Sequence, residues 1–104
     1  MTPHRIDIAR NLKIIEGLKV QLLTAVAELF SGLYQGAEDN VLDALSAVVV
    51  IMFSMADRLG ISIRRMDMAI EEKLQDRAAN PENSLRQFES ELMRYWRGKD
   101  CDEL

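Results

Sequence analysis

The sequence predicts an all-α fold, an antiparallel bundle of four to five helices, and three observations carry that prediction. Apolar residues recur at steps of three and four along most of the chain, the period of a helix that buries one side. Five Gly and two Pro leave few breaks in 104 residues. From Ala44 to Ala56 only Ser46 and Ser54 interrupt an otherwise apolar, uncharged run. A helix apolar on all sides must be covered on all sides, inside a bundle or an oligomer. No segment alternates with period two long enough to suggest a strand.

The elements follow in order. A first helix is expected from Ile6 to Tyr34, with Ile8, Leu12, Ile15, Leu18, Leu22, Val26, Leu29 and Leu33 as its stripe. Gly17 inside it costs about 1 kcal/mol against Ala, which makes a kink or break there plausible. Gly36 is a natural stop. A second helix should start near Glu38, whose carboxylate with that of Asp39 suits a helix N-terminus, and stop at Gly60 after Arg58. Ser62 suits the cap of a third, with Ile63, Met66, Ile70 and Leu74 on one face. Asn80-Pro81 reads as a stop and a restart, Pro being favoured at the first helical position. Leu85, Phe88, Leu92 and Tyr95 or Trp96 then give a last helix to about Gly98, ahead of a short acidic tail. One domain, 1–104, is expected, with its core at about 6–80 and the last helix at about 81–98.

Composition narrows the function. Hydrophobic residues at 48% and charged residues at 29% suit a soluble globular chain rather than a disordered one. The net charge of −4 argues against a binder of nucleic-acid backbones. From Val20 to Asp57 there is no Lys or Arg, while Glu28, Glu38, Asp39, Asp43 and Asp57 are acidic. Either this stretch is the buried middle of the bundle, or it is an acidic centre that seeks a cation such as Mg²⁺. The apolar run is shorter than the roughly 20 residues a bilayer span needs, so no membrane partner is expected. The single Cys101 permits no internal disulfide, and no apolar signal region opens the chain, so a cytoplasmic location is expected. The final CDEL resembles a retrieval signal only loosely.

Other residues carry plainer readings. His4 stands alone near the N-terminus, and Met52, Met55, Met66 and Met68 suit adaptable packing. Ser46 and Ser54 are expected to bond back to helix carbonyls, since no base accompanies them. Trp96 is expected to anchor the last helix.

Three phrases point to a family: AVAELF at Ala25–Phe30, ADRLGISI at Ala56–Ile63 and IEEKLQDR at Ile70–Arg77. Together they resemble the MazG-like, all-α nucleoside triphosphate pyrophosphohydrolases, over roughly Leu18 to Pro81, with the closest fit to short bacterial members. The resemblance implies an E-x-x-E pair on one helix and an E-x-x-D pair on the next, forming a four-carboxylate nest for Mg²⁺. A three-residue step sets two carboxylates on one helix face. In this sequence Ala25 stands where the first acid is expected, and Glu28 where the second belongs.

The second pair depends on register. Matching ADRLG directly puts it on Ala44 and Ala47; keeping the spacing back from Glu72 puts it on Asn40 and Asp43, the preferred register, because NVLDAL echoes the family's ELGDVL. Glu28 and Asp43 are thus the residual metal candidates, with Glu38 or Asp39 as possible additions. By position, Lys73 and Arg77 match the basic residues the family directs at phosphates; a solvated pairing with Glu72 and Asp76 is the plainer reading.

The resemblance with its missing acids implies a degenerate metal site, in a non-catalytic homo-oligomer that keeps some nucleotide binding. An active Mg²⁺-dependent pyrophosphohydrolase and a purely structural interaction module are the alternatives. A dimer, or a dimer of dimers, is expected, with the Ala44–Ala56 helix at or near the interface.

Overall fold

A computed structural model describes residues 5–102 as four α-helices, with no strand among the described residues. They divide into two compact units between Ile63 and Arg64.

The first unit is an antiparallel hairpin of α1 (Arg5–Gln35) and α2 (Glu38–Arg58). Gly36, at φ +69°, ends α1 in the left-handed conformation that Gly adopts at little cost. The Ala37 amide then donates to the Gly32 carbonyl at 3.0 Å and the Gly36 amide to Leu33 at 3.3 Å, so the last carbonyls of α1 are satisfied. Gly60, at φ +82°, closes α2 in the same way, with the Ile61 amide donating to Ala56 at 2.8 Å. Both predicted stops hold.

The hairpin seam is built on Leu18, Ala25 and Ile51, with Ile14, Leu22, Ala47, Val48 and Met55 packed around them. Near the turn the helices approach closely at Gly32, where an added Cβ would lie 3.1 Å from Val41 Cγ2. Ser46 and Ser54 donate to the carbonyls of Leu42 and Val50, each at 2.9 Å, as their spacing predicts.

Several expectations change here. α1 runs through Gly17 without a break. Its buried line lies one step round from the predicted stripe, leaving Leu12 and Leu33 exposed, while the Ile8 side chain lies outside the described residues. Of the apolar run of α2, Ala44, Ile51 and Ala56 are buried within the single chain. With flanking residues included, α2 is long and apolar enough, by length and composition, to cross a membrane. Burial does not explain the missing Lys and Arg either, because Glu28, Glu38, Asp39, Asp43 and Asp57 are all exposed.

The second unit joins α3 (Ile63–Ala79) to α4 (Arg86–Asp102), with Ser62 just before α3. Pro81 does not begin a helix; it sits inside a turn. The Asn80 side chain accepts from the Glu82 amide at 3.0 Å, and Asn83 accepts from the Leu85 amide at 3.1 Å. Two successive side-chain-stabilised turns therefore delay the restart to Arg86. Leu74 is the buried apolar residue of α3, and the predicted stripe of α4 leaves Phe88 and Tyr95 exposed. Polar links carry much of the joining: Trp96 donates its indole N–H to Asp67, and Arg97 meets Glu71 at 2.8 Å. Trp96 is the anchor the sequence predicts.

Candidate functional site

A hollow of about 300 Å³ opens beside the hairpin turn, lined by Glu28, Ser31, Gly32 and Gln35 of α1 and by Asn40 and Asp43 of α2. Residues 28, 31, 32 and 35 share one face of α1 by helical period, as do 40 and 43 on α2. The tight turn brings these two faces together, with Gly32 packed closely against Val41 and Asn40 of α2. Gln35 Nε2 donates to Ser31 Oγ at 3.5 Å along the wall. Both carboxylates are exposed, and no Lys or Arg occurs between Val20 and Asp57 to offset them.

Glu28 and Asp43, fifteen positions apart in sequence, thus open onto one space. Of the two registers, Asn40 and Asp43 are the pair that lines this hollow; Ala44 is buried and Ala47 packs in the seam. Glu38 and Asp39, in the first turn of α2, do not line it. A second hollow, of about 620 Å³, lies along the same hairpin and is mainly apolar, with Ile14, Leu18, Val50 and Phe53 in its wall.

Lys73 and Arg77 lie one turn apart on α3, in the second unit. Arg77 does not pair with its neighbour Asp76. Its Nε lies 2.9 Å from Oε1 of Glu89, twelve residues on, in α4. Asn83 Nδ2 donates to the same oxygen at 2.8 Å and to the Arg77 carbonyl at 2.9 Å. The hydrogen bond from Arg77, and next that from Asn83, hold the Glu89 carboxyl below its ordinary pKa, against the smaller effect of burial. The same bond raises Arg77 above its ordinary value.

A model of the MazG-like family matches residues 8–92. This chain belongs to the MazG-like family. The match extends beyond the stretch that the three phrases mark, at both ends, and takes in every residue of the hollow as well as Lys73, Arg77 and Glu89. Neither the curated proteins nor the solved structures gave a match.

Whether this MazG-like hairpin fits a metal is decided at Ala25 and Asn40. Ala25, in the place of an expected acid, is only 4% exposed and is part of the seam against α2. Asn40 puts an amide where the preferred register expects another acid. Among the described residues no group of three or more His, Cys, Asp or Glu is placed to hold a metal ion. The four-carboxylate nest implied by the resemblance does not fit the side chains of this hollow. His4 and Cys101 lie outside the residues whose side chains are described.

Ser31 and Gln35 escaped the sequence reading, although their steps of three and seven from Glu28 mark them as wall residues of the same face. Glu89 and Asn83 escaped it too. Nothing local signals them, because their role depends on how the turn at Asn80–Asn83 folds back on Arg77.

Proposed function

We propose that this MazG-like protein is a binding protein rather than a hydrolase, one that keeps a polar hollow able to take part of a nucleotide but lacks the acids for turnover. The observation that carries the reading is Ala25, a methyl group locked into the α1–α2 seam at the position of an expected acid. Glu28 and Asp43 remain as the only carboxylates of the hollow, with Ser31, Gln35 and Asn40 supplying neutral hydrogen-bonding groups. Hydroxyls and amides of this kind orient a polar ligand without ionising a water.

A second reading, an active pyrophosphohydrolase, has one observation in its favour: Glu28 and Asp43 do open onto the same space. One experiment separates the two. The full chain is incubated with a panel of nucleoside triphosphates and Mg²⁺, and released pyrophosphate and thermal stability are measured. Stabilisation without turnover supports the binding protein, because a ligand that binds only the native state raises its stability. Turnover that disappears in Glu28→Ala establishes the enzyme. Neither effect would leave an interaction module.

A further inference from the structure

Two carboxylates and no basic side chain line the hollow beside the α1–α2 turn. Among the described residues no cation pairs with Glu28 or Asp43. Within the hairpin, the nearest basic residues along the two helices are Lys19 on α1 and Arg58 on α2. They stand about 14 Å and about 22 Å of helix away, beyond the roughly 10 Å over which an exposed charge acts at 0.1 M salt. Both already have acidic neighbours, Lys19 with Glu16 and Arg58 with Asp57. The helix ends at the turn offset each other, because the negative C-terminal end of α1 meets the positive N-terminal end of α2. The charge that the hollow presents is therefore that of its own carboxylates.

That charge sorts the parts of a nucleotide. A polyphosphate carries several charges of the same sign as Glu28 and Asp43, and no side chain of the wall neutralises them. A base and its sugar carry no charge and meet no such repulsion. Carboxylates accept from base amino groups and sugar hydroxyls, the amides of Gln35 and Asn40 both donate and accept along a base edge, and Ser31 adds a hydroxyl. At about 300 Å³ the hollow also lies at the lower end of the range for ligand pockets, about 300–1,000 Å³.

Resting on the binding role proposed above, we infer that the hollow takes the base and sugar of a nucleotide and turns away its phosphates, so that its ligand class is the nucleoside.

Chemical-shift titration of the full chain, in low-salt buffer with EDTA, compares the common nucleosides with their own triphosphates. Nucleosides should bind about tenfold more tightly, and added salt should narrow that gap, because it screens exposed charges. Glu28→Gln with Asp43→Asn should close most of the gap, chiefly by strengthening triphosphate binding. Each single variant, at an exposed position, should close part of it. Glu16→Gln with Asp57→Asn removes the same charge at the far end of the hairpin and should leave the gap in place. Triphosphates bound as tightly as nucleosides without metal, or a gap that survives the changes at Glu28 and Asp43, would overturn the nucleoside assignment and leave the binding role standing. Failure of every nucleoside and triphosphate to bind would overturn both.

Discussion

Arg77 Nε lies 2.9 Å from Oε1 of Glu89, and that oxygen also accepts from Asn83. One carboxylate oxygen thus ties the end of α3, the connecting turns and the start of α4. A cation that its position on the helix offers to phosphates is engaged inside its own unit. Lys73, one turn away, has no such partner among the described contacts.

The Arg77–Glu89 link makes the second unit sensitive to acid. Glu89 has a lower pKa folded than unfolded, so its contribution is complete above the unfolded value. It is lost as pH falls through the folded value, where the carboxyl takes up a proton. Urea unfolding of the full chain, followed by Trp96 fluorescence, should show stability falling across the acid side of the ordinary carboxylate range. Glu89→Gln should flatten that dependence, and Arg77→Ala should lower stability at neutral pH. Lys73→Ala should leave unfolding unchanged.

Restoring acids to the first unit should have opposite results at its two altered positions. Ala25→Glu places a carboxylate in the seam with Leu18 and Ile51, where no cation is near, and should destabilise the hairpin by several kcal/mol. Asn40→Asp adds a third carboxylate to the wall of an open hollow and should cost less than about 0.5 kcal/mol. It should also raise Mg²⁺ affinity, read by calorimetric titration of variant and parent. Equal tolerance of both changes would contradict the placement of Ala25.

The glycines of α1 offer a paired test. Gly17 is exposed, and a Cβ there meets nothing within 4 Å, so Gly17→Ala should stabilise the chain by about 1 kcal/mol through helix propensity. Gly32→Ala gains the same propensity but brings a methyl to 3.1 Å from Val41 Cγ2 and 3.4 Å from its backbone nitrogen. Overpacking of that kind costs about 1–3 kcal/mol, so the net change should be a loss. Thermal unfolding of both variants decides the sign.

The Trp96–Asp67 hydrogen bond can be tested by itself. Trp96→Phe keeps the ring but removes the indole N–H that Asp67 accepts. The loss should be about 1 kcal/mol, with helical content by circular dichroism retained.

What the sequence determined by itself was local: an all-helical chain of four to five helices, the Gly36 and Gly60 stops, the serines bonded back along α2, and family membership through short helical phrases. Helical period and turn chemistry act over a few residues, so they are written where they act. Tertiary structure decided which side of each helix is buried. It placed Pro81 within a turn. It brought Asn40 and Asp43, with Ser31 and Gln35, to the space of Glu28, and it gave Arg77 to Glu89. Each of these depends on how far one helix rotates against another, an angle fixed by close approaches such as Gly32 on Val41.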